Sequence, residues 1–237
     1  MTHHPIDPLV AFAELSNIKL RDSSLDQVLA RVARLAARTV PGADEVSITL
    51  ITEKGPHTAA HTGDLALRLD ERQYEAGDGP CLRAAAGQTV VEVPDTAADR
   101  RWGPWAPGTA DSGFGSALSV GLPIMDDISG ALNLYGRRRE AFDADATTLA
   151  GTFAGYAAVA LANAHQFYSA VALARHLQAA MDSRAVIEQA KGIVMAQRRC
   201  AADEAFAFLT KVSQDNNRKL RDVAAALVAG VSRTADD

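Results

Sequence analysis

The sequence predicts an α+β amino-terminal domain that one long helix joins to a small all-helical carboxy-terminal domain. Three observations predict this fold class. Five strand-like runs lie between residues 46 and 135, a helical stretch from Phe142 to about Arg199 contains no proline, and two shorter amphipathic segments follow it. Period-two and period-3.6 patterns of apolar residues distinguish the strands from the helices.

The composition is that of a globular protein. Of the 237 residues, 48% are hydrophobic and 22% are charged, which excludes wholesale disorder. No run of about 18 apolar residues occurs, so a membrane helix is excluded. The amino terminus lacks a basic segment followed by a long apolar one, and we expect no secretory signal and a cytoplasmic protein. Cys81 and Cys200 form no C-x-x-C pair, which excludes a disulfide framework and a cysteine zinc site.

Two helices are predicted before the first strand, over residues 7–20 and 24–39. Ser23 or Ser24 is the expected cap of the second helix, since a hydroxyl there accepts a bond from a free helix amide. Apolar residues of the second helix recur every three or four positions, as on a buried helix face. They are Leu25, Val28, Leu29, Val32, Leu35 and Ala36.

Five strand-like runs follow these helices. They span residues 46–52, 57–62, 89–93, 117–124 and 129–135. The last two are separated by a segment whose length suits a hairpin. His57 and His61 are four residues apart on one run, so we expect them on the same strand face, about 13 Å apart and too distant to share a metal ion. We predict no metal site.

The long helical stretch carries a seam of residues at three-four spacing. The seam consists of Phe153, Tyr156, Ala160, Asn163, Phe167, Ala170, Ala174, Leu177 and Met181. A heptad-like seam on a helix too long for one small domain predicts a paired helix in a homodimer. The alternative is that residues 149–161 simply pack on the sheet and the helix kinks after them.

Two shorter helices are predicted at the carboxy terminus, over residues 201–214 and 219–231. Each carries one apolar face, and Asn216 or Asn217 is the expected cap of the second. Residues 175–237 contain 10 Lys and Arg against 8 Asp and Glu, a net charge of +2, whereas the rest of the chain carries −7. This asymmetry is a weak indication of a nucleic-acid partner.

The chain lacks the sequence patterns of common catalytic sites. It contains no G-x-S-x-G elbow, P-loop, G-x-G-x-x-G or H-E-x-x-H, and we predict that it is not an enzyme. Cys81 follows Gly79 and Pro80 and is expected to open a short helix, where a thiolate would be stabilised. A redox cysteine and an inert core residue are the two interpretations, and the second is favoured.

The middle of the chain contains a Gly-x-Gly-Pro-Cys turn, a V-x-V-x-D strand, an Arg-Trp pair and a G-x-L-N-L-Y strand. The matching residues are Gly77, Gly79, Pro80, Cys81, Val91, Val93, Asp95, Arg101, Trp102, Ser116, Leu118, Ser119, Leu122, Pro123, Gly130, Leu132, Asn133 and Tyr135. Over about residues 24–165 this pattern resembles the GAF domain, in the version common in bacterial regulators. The resemblance implies an antiparallel sheet with helices and a sensory role.

The GAF resemblance does not specify a ligand. GAF domains bind cyclic nucleotides, bilins, haem or nothing in different proteins. Here the N-K-x-x-x-F-x-x-x-D-E signature of cyclic-nucleotide binding is absent and no cysteine suits a bilin link, so the cofactor stays unknown. Tyr74, Trp102, Trp105 and Phe114 are the candidate lining of a small-molecule pocket. The alternative is that these four are core aromatics.

The carboxy-terminal segment meets a longer pattern, R-x-x-I-x-x-A-K-G-I-x-M followed by E-A-F-x-x-L and by S-x-x-x-N-x-K-L-x-D-V-A. The matching residues are Arg184, Ile187, Ala190, Lys191, Gly192, Ile193, Met195, Glu204, Ala205, Phe206, Leu209, Ser213, Asn217, Lys219, Leu220, Asp222, Val223 and Ala224. Over about residues 177–232 the chain resembles the ANTAR domain, an RNA-binding antiterminator module. Ala201 stands where that family often has a capping Ser or Thr.

With this resemblance, six residues are expected to contact RNA. They are Arg184, Lys191, Gly192, Arg218, Lys219 and Arg221. Lys and Arg supply phosphate contacts, and a glycine beside Lys191 lets a nucleotide approach the backbone. Arg218, Lys219 and Arg221 start the last helix, whose free amides also suit phosphate. The alternative is a solvated charged face with Gly192 as a packing glycine.

The sequence therefore predicts a regulator in three parts. These are an amino-terminal helical segment (1–23), a GAF-like sensor (24–165), and the continuation of the long helix with the ANTAR-like domain (166–237). The resemblances imply a homodimer that binds stem-loops in leader mRNA and so prevents termination, with an unknown small molecule in the sensor. The alternative is a sensor or dimerisation scaffold that acts through a protein partner without RNA.

Overall fold

The computed structural model of the protein describes residues 6–125 and 128–234, with side chains up to residue 230. Contacts divide the chain into two compact units, one ending at Tyr168 and the other beginning at Ser169. Among the described residues, none of the helices combines the length and apolar character that crossing a membrane requires.

The first unit is built on a five-stranded antiparallel sheet with the order β2-β1-β5-β4-β3. Its strands are β1 (Glu45–Thr52), β2 (Gly55–His61), β3 (Val90–Val93), β4 (Ser116–Met125) and β5 (Ile128–Gly136). All five predicted strands are present, each within about two residues of its predicted ends. The expected α+β fold class is confirmed.

Within the described residues, six helices of the first unit pack around the sheet. They are α1 (Pro8–Ser16), α2 (Leu25–Thr39), α3 (Asp64–Ala76), α4 (Pro80–Gly87), α5 (Trp105–Asp111) and the first part of α6 (Ala144–Arg198). The predicted helix over 7–20 is wrong in its end, because α1 stops at Ser16 and only a short 3-10 turn, Leu20–Asp22, follows. Ser24 caps α2 by accepting a bond from the Gln27 amide, while α3 and α5 were not predicted.

The two faces of the sheet are packed differently. Side chains of β1, β4 and β5 that face α1, α2 and α6 are apolar, including Ile48, Leu118 and Leu132. The opposite face packs against α3, α4 and α5 and contains polar side chains, among them Asn133 and Ser119. This second face is where the polar site of the first unit forms.

Phe153 was predicted in a dimer seam, but the structure buries it completely in the apolar core against the sheet. This part of the seam prediction is wrong, because the buried helix stripe runs through Phe153, Ala157 and Leu161. The neighbouring positions Tyr156 and Val159 are 51% and 61% exposed. The alternative, that residues 149–161 pack on the sheet, describes this stretch of α6.

A β-bulge separates the two histidines of β2. Ala60 pairs with Ile48 but Thr58 pairs with Thr49, so one residue of β2 is unpaired between them. His57 therefore lies opposite Leu50 on the apolar face, whereas His61 lies opposite Ser47 on the polar face. The expectation that both imidazoles share a face is wrong, because an extra residue reverses the alternation of a strand.

The second unit consists of the last part of α6, α7 (Ala202–Asp215) and α8 (Leu220–Thr234). Its core is small and is formed by Ala190, Val194, Ala205, Leu209, Val223 and Ala224. Neither Asn216 nor Asn217 caps α8 as predicted. Asn216 ends α7 by donating to the Val212 carbonyl at 2.8 Å, and Asn217 has a φ of +48° in the turn before α8.

The burial of Phe153 generates a stability prediction. Phe153→Ala is expected to lower the free energy of unfolding of the first unit by about 3–5 kcal/mol, because it removes a buried ring and leaves a cavity. Val159→Ala, on an exposed position of the same helix, is the control and should change it by less than about 0.5 kcal/mol. Urea unfolding followed by circular dichroism measures both. Equal effects would contradict the assignment of Phe153 to the core.

Candidate functional site

The six residues expected to contact RNA lie in the second unit, on two elements. Arg184, Lys191 and Gly192 are on α6, whereas Arg218 and Lys219 occupy the turn before α8 and Arg221 its first turn. The four arginine and lysine residues Arg184, Arg218, Lys219 and Arg221 are exposed.

Lys191 is less accessible than an exposed helix residue. Its side chain is 22% exposed, and its Nζ lies 2.5 Å from Oε2 of Glu188, one turn earlier on α6. The hydrogen bond from Lys191 lowers the pKa of the Glu188 carboxyl. An incoming phosphate would have to replace this carboxylate as the partner of Lys191.

Gly192 faces open space. A Cβ placed on its backbone would meet no atom within 4 Å, so a larger side chain fits at this position in the second unit. Because Gly192 has no close neighbour, packing within this unit does not require a glycine there. An approach of another molecule to the backbone beside Lys191 does favour the absence of a side chain.

Hydrogen bonds fix the backbone of the turn between α7 and α8, which carries two basic side chains. The Arg218 amide donates to the Ser213 carbonyl at 3.0 Å, and the Ser213 hydroxyl donates to the Arg218 carbonyl. The Lys219 carbonyl then accepts the first bonds of α8, from the amides of Asp222 and Val223. The result is a fixed backbone that carries the exposed side chains of Arg218 and Lys219, and the Arg218 guanidinium donates to the Asp222 carbonyl at 3.4 Å.

A groove of about 350 Å³ runs between α7 and α8 beside this turn. Its lining combines an apolar floor with polar groups, namely Phe208, Leu209, Val212, Asn216, Arg218, Val223, Ala226 and Leu227. The guanidinium of Arg198 lies 3.6 Å from the centre of the Phe208 ring, a cation–π arrangement. Neither Phe208 nor Arg198 was among the residues that the sequence led us to expect at the RNA interface, since no spacing rule joins the end of α6 to α7.

The first unit contains a buried polar network on the α3 face of the sheet. Asp70 of α3 is fully buried, and it accepts hydrogen bonds from Tyr135 at 2.6 Å, from Thr58 at 2.9 Å and from Asn133 at 3.3 Å. Burial raises the pKa of Asp70 from its usual 3.8 to about 6, and bonds from neighbouring hydroxyl groups offset this only in part. Asp70 was not predicted from the sequence, because nothing in the α3 segment marks this residue as buried.

The four aromatic residues expected to line a pocket occupy two clusters. Trp105 and Phe114 are core residues, with Trp102 packed against them. The Trp105 indole donates to the Leu69 carbonyl at 2.9 Å, whereas the Trp102 indole nitrogen is buried without a hydrogen-bond partner in the described part of the chain. Tyr74 belongs to the other cluster, and its hydroxyl lies 2.9 Å from the hydroxyls of Thr49 and Thr58.

Cys81 lies beside the Asp70 network, at the start of α4. Its side chain is fully buried, and its amide donates to Oε1 of Gln73 at 2.9 Å. Burial raises the pKa of the Cys81 thiol, which disfavours the thiolate that nucleophilic or redox chemistry requires. These properties favour the interpretation of Cys81 as an inert core residue.

Two family models match the chain. The model of the GAF domain matches residues 22–162, and the model of the ANTAR domain matches residues 175–228. A search of curated proteins gives no match.

Solved structures share the fold at low identity. The GAF domain of a phosphoenolpyruvate-protein phosphotransferase from Coxiella burnetii is 17% identical, with a TM-score of 0.51 over 68% of this chain and 96% of that one. The phycocyanobilin-bound GAF domain of a cyanobacterial phytochrome is 14% identical, with a TM-score of 0.52 over 68% and 97%. Free methionine-R-sulfoxide reductase from Neisseria meningitidis, in complex with its substrate, is 17% identical, with a TM-score of 0.51 over 67% and 88%. At these identities the likeness concerns the fold alone.

The buried carboxyl predicts a pH dependence of stability. Because the pKa of Asp70 is raised in the folded state, its contribution to stability is fully present below about pH 4 and is lost as the pH rises through about 6. Relative to Asp70→Asn, the native protein should therefore lose about 2 kcal/mol between pH 4 and pH 7.5. Urea unfolding at both pH values measures this, with Asp111→Asn, at an exposed position, as the control. A constant difference between native protein and Asp70→Asn would contradict the raised pKa.

Proposed function

The chain belongs to the GAF family and carries an ANTAR domain, and on that premise we propose that it is an antitermination regulator that binds stem-loops in nascent mRNA. By holding such a stem-loop, the protein keeps the transcript from forming a terminator hairpin. The observation that carries this proposal is the match of the ANTAR model to the unit that holds the exposed basic residues.

The exposed positive charges of the second unit favour RNA over an uncharged molecule as its partner. Arg218 and Lys219 project from a fixed turn at the start of α8, and such side chains bind phosphate oxygens by charge-assisted hydrogen bonds. We place the phosphate backbone of the RNA along this turn and along the Lys191–Gly192 segment of α6.

The groove between α7 and α8 supports the recognition of a loop rather than a duplex. Proteins that recognise RNA sequence bind unpaired loop bases, which stack on aromatic rings or guanidinium planes. The Phe208 ring with Arg198 over it, and Arg218 beside it, offers such a surface next to the phosphate contacts. We therefore assign one unpaired loop base to this groove.

We further propose that the protein acts as a homodimer, as the sequence analysis expected. Three residues of α6 in the second unit, Leu173, Leu177 and Met181, are 59%, 58% and 66% exposed. They repeat at intervals of four residues and form an apolar stripe, which a second copy of the helix would bury. Two ANTAR domains in one dimer would bind two stem-loops of one transcript, so two weak contacts become one tight contact.

The GAF domain is proposed as the sensory part of this regulator. The presence of a GAF domain and an ANTAR domain in one chain favours a regulator over an enzyme. It also favours RNA as the binding partner over the alternative of a scaffold that acts through a protein partner. The boundaries 1–23, 24–165 and 166–237 remain our proposed division of the chain.

The first test replaces the exposed basic pair. RNA that copurifies with the full-length protein is sequenced, and a matching synthetic stem-loop is titrated at several salt concentrations. Arg218→Ala with Lys219→Ala should weaken binding by about tenfold or more and make the salt slope shallower by about 1 to 2. The control, Lys19→Ala with Arg34→Ala, removes the same charge from exposed positions of the first unit. Equal effects of the two pairs, or the absence of any copurified RNA, would contradict the assignment.

The second test concerns Gly192. Gly192→Leu should not lower the melting temperature, because open space surrounds this position and leucine favours a helix more than glycine does. The same variant should weaken RNA binding at least as much as loss of the basic pair, because the new side chain blocks the approach to the backbone. Gly230→Leu, also in open space, serves as the control. Unchanged RNA affinity in Gly192→Leu would remove this residue from the interface.

The third test concerns the dimer. Leu177→Glu with Met181→Glu should shift the protein from dimer to monomer in sedimentation at micromolar concentration, because unpaired charges would be buried in the seam. Ala172→Glu with Ala179→Glu adds the same charge at exposed positions on another face of α6 and should leave the dimer intact. A monomeric native protein would contradict the proposal.

A further inference from the structure

The apolar side of the first unit contains a small cavity between the sheet, α2 and α6. Its volume is about 200 Å³. Six aliphatic side chains form most of its wall, namely Leu25, Leu29, Leu50, Ile124, Ile128 and Leu161, and Thr52 also lines it. This cavity lies on the face of the sheet opposite to the Asp70 network, since Leu50 and Ile124 belong to the apolar core.

Two imidazoles stand at the opening of this cavity. His57 of β2 and His165 of α6 line both the cavity and a wider outer recess of about 650 Å³. The outer recess adds the ionisable residues Glu53 and Lys54 from the β1–β2 turn. Within the described ranges, neither imidazole makes a side-chain hydrogen bond or an ion pair, so both retain their donor and acceptor groups.

The position of His57 depends on the β-bulge described above. Without the unpaired residue between Thr58 and Ala60, the alternation of the strand would place His57 on the opposite face of the sheet. The bulge therefore directs an imidazole to the rim of an otherwise aliphatic space. Bulges often redirect a side chain in this way next to functional sites.

We propose that this cavity binds a small monocarboxylate with an aliphatic body of about six carbons. An apolar cavity of about 150 Å³ is large enough for a benzene ring, so the space here suits a body of that size. The carboxylate would lie between His57 and His165, with Lys54 nearby. Among the described residues that line the two spaces, His57, His165 and Lys54 are basic and Glu53 is the one acidic residue, which favours an anionic head group over a neutral or cationic one.

Such a ligand would contact α6 directly, through Leu161 and His165. Binding would join α6 to α2 and to the strands β1, β2, β4 and β5, which supply the rest of the wall, and so would stabilise the position of α6 on the sheet. This inference rests on the sensory part of the proposed function and names a ligand class for it. Its test uses no RNA, so a failure here leaves the RNA proposal standing.

The experiment measures binding of hexanoate, hexanol and hexylamine to the full-length protein by calorimetry at about pH 6. We expect hexanoate to bind more tightly than either analogue. His57→Gln with His165→Gln should weaken hexanoate binding by about tenfold or more and leave hexanol binding unchanged, because only the anion gains from charged donors. His61→Gln with His176→Gln is the matched control, since both residues are exposed and line neither space.

A measurement on the native protein makes the test independent of the variants. In a titration followed by nuclear magnetic resonance, hexanoate should shift the ring signals of His57 and His165 and leave those of His61 and His176 unchanged. The absence of hexanoate binding, or equal affinity for the three compounds, would overturn the proposal. Equal loss of binding in the two double variants would overturn it as well.

Discussion

Strand β5 runs through the centre of the sheet, with β1 on one side and β4 on the other. Because successive side chains of a strand point to opposite faces, Leu132 and Leu134 enter the apolar layer, while Asn133 and Tyr135 enter the polar one. A shift of one residue in the pairing of β5 would exchange the two layers. The polar layer also determines what α3 can carry. The hydrogen bonds that Tyr135 and Asn133 donate to Asp70 offset the energy cost of burying its carboxyl group there.

Helix α6 covers the apolar layer of the sheet and also has other roles. Along its first part, Phe153 and Leu161 face the sheet, while Val159 is exposed. His165 lies at the rim of the cavity on the same helix. One helix thus supplies core contacts, an exposed apolar position and part of the proposed ligand site. These roles are compatible because each occupies a different side or a different turn of the helix.

The second unit shows that charge counted along a sequence differs from charge available for binding. Lys191 and Arg218 were both expected to contact RNA, yet Lys191 is paired with Glu188 and partly buried, whereas Arg218 is exposed on a turn fixed by Ser213. An ion pair on a helix surface is weak, so a phosphate can compete with Glu188. A phosphate that binds at the turn before α8 would not have to displace a carboxylate. For this reason we regard this turn as a stronger contact than Lys191.

The two families, the five strands, the long helix and a serine cap for α2 could be predicted from the sequence, because each of these depends on motifs or periodicities within one segment. The burial of Phe153 and Asp70, the cluster to which each aromatic residue belongs and the partial burial of Lys191 depend on contacts between segments that are distant in sequence. The β-bulge illustrates the physical reason. The local spacing of His57 and His61 is that of a regular strand, but the pairing of β2 with β1 leaves one residue unmatched. Which face each imidazole occupies is therefore a property of two strands together and cannot be found in either one.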